Sequence, residues 1–455
     1  MEKLLREVLE RITPTDREKE AEKRAAEAII RKIQSIKGRH VGAMLVGSIA
    51  RDTHIRGDRD MDIFVLFPKE LPRSEFEREG LAVARKVFEG KPYWKEYSEH
   101  PYLKGIVDGF EVEIVPSYKV KRASELKSAV DRSPFHTRFM LKRLTPTLRR
   151  EARLLKAFLK GIDCYGAKIE KEGFSGYLAE LVVLKYGSFK ESLRAMSQWQ
   201  HGTVLSLSPV NEEKARQKFN APLVFIDPTD KNRNVAAALS IEQFARAIAA
   251  SRAFLQNPAR KFFYPKRKTS ISRKRMKKLI TMDQVFALRM PFPSKALSDV
   301  IWGQLRRLKK LLKKALEGEG FLVRRISLYA GEEKGIDYFV ELESLELNKT
   351  VICTGPFAWQ EEHSRAFIER HKSALTGPRI ENGKWVVEEP RKHTNAVKLA
   401  REFVKKRKKF EKAPFKKALE KCSFLCKEEF LKTAKSDPVF KHNLSRFLKG
   451  REEFL

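Results

Sequence analysis

The chain has 455 residues, enough for about three domains, and its 94 lysines and arginines against 59 aspartates and glutamates leave a formal charge of +35. With 42% hydrophobic residues, 23 glycines and 20 prolines, disordered, collagen-like and low-complexity classes are excluded. No run approaches the ~18 to 20 apolar residues of a bilayer span. The opening Met1-Glu2-Lys3-Leu4-Leu5-Arg6-Glu7 mixes acids with bases and reads as a helix rather than a signal peptide, so a cytoplasmic location is expected.

In chain order, Thr15-Asp16-Arg17-Glu18 is a capping box that opens a helix carried by Ala25, Ala26, Ile29 and Ile33 and stopped by Gly38. Val41 to Val46 reads as a strand ending in Gly47-Ser48, Asp60 to Phe67 as a second, and Phe110 to Val115 as a third that stops at Pro116. A helix over 74–90 lies between the last two. Thr145-Pro146 opens a helix that runs to Lys160, and the spacing onward to about 260 is helical. Strands return at 321–329 and 338–342, Asn382-Gly383 marks a hairpin over 380–387, and basic helices close the chain. The fold class expected is α+β and multi-domain, divided at 1–142, 143–268 and 269–455.

The four cysteines form no Cys-x-x-Cys pair. Cys422 and Cys426 would share one face of a helix as a metal half-site, but with no paired ligand cluster they read as buried small hydrophobes. The bases gather in Lys266-Arg267-Lys268, Arg273-Lys274-Arg275 with Lys277-Lys278, Arg306-Arg307 with Lys309-Lys310 and Lys313-Lys314, and Lys405 to Lys409. Such clustering fits a track for a polyanion, with nucleic acid as the expected partner. Phe357 and Trp359 are expected in the core rather than as stacking platforms.

The chemistry concentrates between residues 46 and 115. Asp60 and Asp62 are two apart on a strand, so both carboxylates face one way. Neighbouring carboxylates repel unless a divalent cation lies between them, and Mg²⁺ prefers oxygen ligands with substrate phosphates. Glu113, facing the same way as Glu111 on the third strand, completes a set suited to two Mg²⁺ ions that activate a hydroxyl and stabilise leaving pyrophosphate. Gly47 allows close backbone approach to phosphate, while Ser48 and Arg51 supply anion donors.

The order Val46-Gly47-Ser48, Asp60-Met61-Asp62 and Glu113 resembles the signature of the polymerase-β-like nucleotidyltransferase superfamily. Leu45-Val46-Gly47-Ser48-Ile49-Ala50-Arg51, Glu99-His100-Pro101-Tyr102, the run Ser128 to His136, Gly173-Phe174-Ser175-Gly176-Tyr177, and Asp227-Pro228 with Arg233-Asn234-Val235-Ala236 narrow it to a resemblance to the class I, archaeal-type CCA-adding enzymes, tRNA nucleotidyltransferases. The resemblance is dense to about residue 265. It implies a nucleotidyltransferase palm, a helical central domain, and a mixed α/β C-terminal region that holds the tRNA acceptor stem and elbow; a homodimer is left open.

The resemblance further implies Asp60, Asp62 and Glu113 as catalytic metal ligands. It assigns nucleotide contacts to Gly47, Ser48, Arg51, His100, Ser133, His136, Lys156, Tyr165 and Arg233. Glu113 stands where archaeal members carry aspartate, which places its oxygens one methylene further out. Without the resemblance, Lys156 reads as a surface lysine and Arg233 as a helix-cap ion pair. Cytosine and adenine both present an amine beside a bare ring nitrogen, so a guanidinium aimed at that nitrogen selects C and A against U and G; the resemblance gives this task to Arg233. The activity implied is template-independent addition of C, C and A to tRNA 3′ ends from CTP and ATP with two Mg²⁺ ions. The rivals are a poly(A) polymerase-like relative and a catalytically impaired RNA-binding protein.

Overall fold

The computed structural model describes all residues except 59, 266–269, 281–283, 294–297, 332–334, 453 and 455, and leaves aside the side chains of 298, 299 and 427. Two units result, Met1–Arg267 with Glu452–Leu455, and Lys268–Arg451. The basic run Lys266-Arg267-Lys268 lies outside the described residues.

The first unit begins with α1 (Glu2–Ile12) and α2 (Asp16–Ser35). Thr15 caps α2 reciprocally: its Oγ1 accepts from Glu18 N at 3.2 Å, and the Glu18 carboxylate accepts from Thr15 N at 2.7 Å. Next come β1 (Gly42–Val46), α3 (Gly47–Ala50), β2 (Asp60–Pro68), α4 (Arg73–Val87), β3 (Tyr93–Tyr97), β4 (Pro101–Val107) and β5 (Phe110–Lys119). The five strands form one sheet in the order β1-β2-β5-β4-β3, with β2 and β5 parallel and the other pairs antiparallel. Met61, Ile63, Val65 and Phe67 of β2 and Val112 and Ile114 of β5 bury one face with α2 and α4. The period of two therefore turns Asp60 and Asp62 to the other face.

The sequence reading leaves out β3 and β4, although the Asp108-Gly109 turn joining β4 to β5, with φ of 51° and 81°, is a strong hairpin signal. It also ends β5 too early. Past Ile114, β4 has left the ladder, so Pro116 pairs only with Val65 of β2, the one-sided setting in which a strand tolerates proline.

The same unit continues with α5 (Ser133–Leu141), α6 (Pro146–Gly161), α7 (Gly176–Tyr186), α8 (Phe189–Gln198), β6 (Thr203–Leu205), α9 (Glu212–Phe219), β7 (Leu223–Asp227), β8 (Asp230–Asn234) and α10 (Ile241–Gln256). Phe158, Phe189, Phe254 and Phe262 meet in its core. This block is not wholly helical as expected: β6-β7-β8 form a sheet. Leu223 to Asp227 are all buried, and a short buried strand has no alternation to distinguish it from a helical segment.

The second unit runs α11 (Arg273–Ile280), β9 (Val285–Met290), α12 (Ser298–Gly318), β10 (Val323–Gly331), β11 (Gly335–Leu342), β12 (Thr350–Phe357), α13 (Glu361–Arg370), β13 (Thr376–Glu381), β14 (Lys384–Pro390), α14 (Ala396–Arg407), α15 (Phe415–Glu420), β15 (Ser423–Leu425), α16 (Lys427–Ser436) and α17 (Pro438–Lys449). One sheet is ordered β10-β11-β9-β15. Its Leu288, Tyr338 and Val340 join a core with Leu305 of α12 and Ala400 of α14, while Ala287 and Phe339 join another with Met276, Phe430 and Phe440 of α11, α16 and α17. The Asn382-Gly383 hairpin turn forms as expected, joining β13 to β14 in the sheet β12-β14-β13.

Two expectations are corrected here. Trp359 is 72% exposed and stacks on Phe357 with 4.5 Å between centroids; it stands past the end of β12, against the Gly383 turn. Cys422 and Cys426 flank β15 instead of sharing a helix, half-buried at the edge of the core, where burial raises both thiol pKa values.

Helix α4 crosses β5 so closely that a Cβ on Gly80 would lie 2.6 Å from Pro116 Cβ. Gly80→Ala should therefore destabilise the first unit by about 1–3 kcal/mol through overpacking, measured as a lower urea midpoint with unchanged m-value.

Candidate active site

A single row of residues crosses the first sheet. Val46 of β1 pairs with Asp62 of β2, Asp62 with Glu113 of β5, and Glu113 with Lys104 of β4. In the row below, Asp60 pairs with Glu111. The four acids thus share the face turned away from the core, and Lys104 reaches into them. Its Nζ lies 2.8 Å from Glu111, 3.3 Å from Glu113 and 3.6 Å from Asp60.

Burial, then the charges of Glu113 and Asp60, push the Asp62 carboxyl up to about 7. Burial also raises Asp60 and Glu113, whereas the Lys104 hydrogen bond lowers Glu111. Burial disfavours the Lys104 ammonium, but Glu111, Glu113 and Asp60 overcome it and raise its pKa. Gly47, at φ +76°, lies against this row, and a Cβ there would fall 2.0 Å from Asp62 Oδ2. Only glycine brings the backbone this close to the carboxylate.

Asp62 and Glu113 line a cavity of about 400 Å³ together with Gly47, Arg51, Ser133, His136, Tyr177 and others. Among the described residues, no three acidic, histidine or cysteine side chains gather closely enough to hold a metal; Asp60, Glu111 and Glu113 converge on Lys104. The donor set nevertheless suits Mg²⁺: carboxylates on one face, with glycine leaving room beside Asp62.

Behind Arg51 lies a fully buried carboxylate, Glu180 of α7. Arg51 Nε donates to it at 2.7 Å and Nη2 at 3.3 Å, while Thr53 Oγ1 donates at 2.5 Å. Lys156 of α6 spends its donors on Glu180 at 2.7 Å, Thr53 Oγ1 at 2.9 Å and the Thr53 carbonyl at 3.1 Å. Lys156 is therefore not the surface lysine that its sequence alone suggests. Burial alone would raise Glu180, but Arg51 and Lys156 hold it down at about 2. Tyr165 is close by, since a Cβ built on Gly176 would lie 2.8 Å from its hydroxyl and 3.7 Å from Lys156 Nζ.

A second buried carboxylate, Asp227 at the end of β7, organises another cluster. His136 Nε2 is 2.8 Å from its Oδ2, Arg233 Nη1 donates to the same oxygen at 2.8 Å, and Thr229 N donates to Oδ1 at 2.9 Å. Tyr177 stacks on His136 at 4.0 Å between centroids. Burial lowers the His136 pKa despite Asp227, so at neutral pH the ring is uncharged. With Nε2–H donated to Asp227, its Nδ1 is left as an acceptor. Arg233 stands on a strand, with its ion pair inside the sheet, not at a helix cap.

The structure thus brings Gly47, Arg51, Asp62, Glu113, Ser133 and His136 to one cavity. Asp60 and the half-buried Ser48 adjoin it in sequence, and Lys156 and Tyr165 lie one layer behind. His100 is not among the lining residues: it is buried edge-on against Phe76 at 5.1 Å, between the lining residues Ser98 and Tyr102. Lys104, Tyr177, Glu180 and Asp227 are organising residues absent from the sequence assignment. Glu180 had a readable signal, an acid amid the apolar run Leu178 to Val183.

Removing a partner from a buried ion pair costs about 3–5 kcal/mol, so Glu180→Gln should destabilise the chain by that order. Because its folded pKa is depressed, the contribution of Glu180 is present above the ordinary value of 4.5 and lost as pH falls toward about 2. The difference between wild type and Glu180→Gln in chemical denaturation should accordingly shrink across that window.

Comparison with known proteins matches residues 26–136 to a nucleotidyltransferase domain, 150–264 to the second domain of tRNA nucleotidyltransferase and 281–422 to the C-terminal domain of the CCA-adding enzyme. Curated CCA-adding enzymes are similar over most of their length. That of Methanosarcina mazei is 34% identical over 87% of both chains, and that of Archaeoglobus fulgidus 34% over 89% of both. That of Methanocaldococcus jannaschii is 36% identical over 82% of this chain and 84% of its own.

Proposed function

Since the chain belongs to the CCA-adding enzymes, nucleotidyltransferases that complete tRNA 3′ ends, we propose that the cavity on the carboxylate face of the first sheet is where CTP and ATP react. The observation that carries this is the row Val46, Asp62, Glu113, which places two carboxylates in a cavity whose other walls supply Arg51, Ser133 and His136. Asp60, Asp62 and Glu113 would hold two Mg²⁺ ions, whose bound charge activates the tRNA 3′-hydroxyl and stabilises departing pyrophosphate.

Arg51, fixed by Glu180, presents its remaining donors to the triphosphate beside Ser48 and Gly47. His136, clamped between Tyr177 and Asp227, offers Nδ1 to a sugar hydroxyl. Lys156 sets the position of Arg51 through Glu180 and reaches the triphosphate only as it exchanges that partner, with Tyr165 beside it. Arg233 does not itself line the cavity but shares Asp227 with the lining residue His136, and keeps the rest of its fork for the base. Asp227 thereby narrows the orientations open to the guanidinium, which favours selection of C or A over U or G. A nucleotidyltransferase head at 1–142, a central part at 143–268 and a region 269–455 are supported by family matches within each at 26–136, 150–264 and 281–422, the last region gripping tRNA at acceptor stem and elbow.

For that grip, the segment from the end of α14 through α15 is the best-suited surface. Lys405, Lys406, Lys409, Lys412, Lys416 and Lys417 are exposed, and Phe410 in their midst is 76% exposed. Cations around a bare aromatic ring combine phosphate contacts with base stacking.

The function is tested by incubating the chain with Mg²⁺ and tRNA transcripts lacking CCA, with labelled CTP, ATP or both. Two C residues from CTP and a third nucleotide only with ATP are expected; long A tracts would place the chain with the poly(A) polymerases, and binding without extension with the impaired RNA binders. Asp62→Ala should abolish extension while leaving tRNA binding intact, and Arg233→Ala should admit UTP and GTP. In a binding titration against salt, replacing Lys405, Lys406 and Lys409 by alanine should lower the slope of log K by about 2–3. Phe410→Ala should instead cost about 1–3 kcal/mol at an unchanged slope.

A further inference from the structure

We propose that Lys104 and Glu111 form a tethered counter-cation that sets how tightly the active-site carboxylates take a divalent metal. The inference rests on the assignment of Asp60, Asp62 and Glu113 as metal ligands and extends it to two residues outside that set. The position of Lys104 is a consequence of register. β4 pairs antiparallel with β5, Lys104 directly opposite Glu113 and Ile106 opposite Glu111, so the Lys104 side chain must rise on the carboxylate face.

There the ammonium bridges carboxylates of both central strands, at 3.3 Å from Glu113 and 3.6 Å from Asp60, and it is only 17% exposed. Two of the three expected ligands therefore already share a positive charge supplied by the chain itself. With Glu111, three of the four neighbouring acids are offset by this one ammonium. An arriving cation must displace that charge or work against it.

Glu111 gives the displaced ammonium somewhere to go. It makes the shortest contact to Lys104, 2.8 Å, and lies beside Asp60 in the register. With Lys104 drawn onto Glu111, Glu113 and Asp60 are released while the ammonium stays hydrogen-bonded. The pair then acts as a two-position device: ammonium shared by Glu111, Glu113 and Asp60 without metal, ammonium on Glu111 alone with metal. Lys104 touches neither nucleotide nor tRNA in this scheme and is a positioning residue.

Two adjacent changes of opposite sign follow. Lys104→Met removes the competing charge and should tighten Mn²⁺ binding to the full-length chain roughly tenfold, the scale of one unit charge at a few ångströms in a partly solvated site. Glu111→Gln removes the resting place and leaves the ammonium on Asp60 and Glu113, so it should weaken binding several-fold. In Lys104→Met/Glu111→Gln, the effect of Glu111→Gln should shrink, since it acts through Lys104.

Free Mn²⁺ is read by electron paramagnetic resonance without nucleotide or tRNA, and the Mg²⁺ midpoint of CTP incorporation gives a parallel measure. Unchanged or weaker Mn²⁺ binding in Lys104→Met, or an effect of Glu111→Gln that is as large without Lys104 as with it, overturns the proposal. Should Lys104→Met fail to fold, Glu111→Gln alone decides, because tighter or unchanged binding there is contrary to the scheme. Absence of Mn²⁺ binding in the wild type would instead remove the ligand assignment itself and this inference with it, a result distinct from wild-type binding that ignores Lys104.

Discussion

The parallel pairing of β2 with β5 is the constraint on which the site depends. In that register Asp62 stands beside Glu113 and Asp60 beside Glu111, while Met61, Ile63, Val65 and Phe67 enter the core. A slip of one residue would turn four apolar side chains to solvent and drive the carboxylates among Phe76, Val83 and Ala84. The hydrophobic core thus enforces the geometry of the polar face. Phe64, Leu66 and Val46 of that same face form a small apolar cluster next to the acids, so the carboxylates meet a surface that excludes water on one side, and burial raises Asp62 as far as it does.

Glu180 and Asp227 extend this logic from the sheet to the helices. Each is a buried acid satisfied by several partners: Arg51, Thr53 and Lys156, all distant in sequence, for the first; the distant His136 and the neighbouring Thr229 and Arg233 for the second. A buried pair adds little net stability but penalises any arrangement that separates its partners. The two clusters therefore act mainly as locks: α5, α6, α7 and β7 can meet the sheet in one arrangement without stranding a charge, and that arrangement points Arg51 and His136 into the cavity.

How much of this was legible follows from the range of each signal. The capping box at Thr15, the Thr145 cap and the Asn382-Gly383 turn are local, and all appear as read. Alternation on β2 told which face Asp60 and Asp62 share. The family resemblance supplied His136, whose local sequence is that of any boundary residue, and Arg233, which stands on a strand where the sequence suggested a helix cap. Lys104 was beyond reach because β4 was unread, and without β4 nothing sets a lysine opposite Glu113. The partners of Glu180 are up to 129 residues away, and no periodicity links them. Trp359 failed for a different reason: hydrophobicity argues for burial, but the residue stands past the end of β12, against the Gly383 turn.

The division of charge between the units completes the physical picture. In the first unit the cations near the site are internally committed: Arg51 and Lys156 to Glu180, Arg153 to Asp52, Lys104 to three carboxylates. Such commitments fix geometry. Along α14 and α15 the pattern reverses, for Lys405, Lys406, Lys409, Lys412, Lys416 and Lys417 are exposed and have no carboxylate within ion-pair distance among the described residues. Lysines left this way contribute little to the fold, because water solvates them as well as a surface carboxylate would. Against a phosphate backbone, however, each releases a condensed counterion. A chain that must hold tRNA while its 3′ end is extended by successive nucleotides needs both: a rigid, charge-compensated site for one nucleotide at a time, and a sequence-indifferent grip whose strength grows with the number of uncommitted cations.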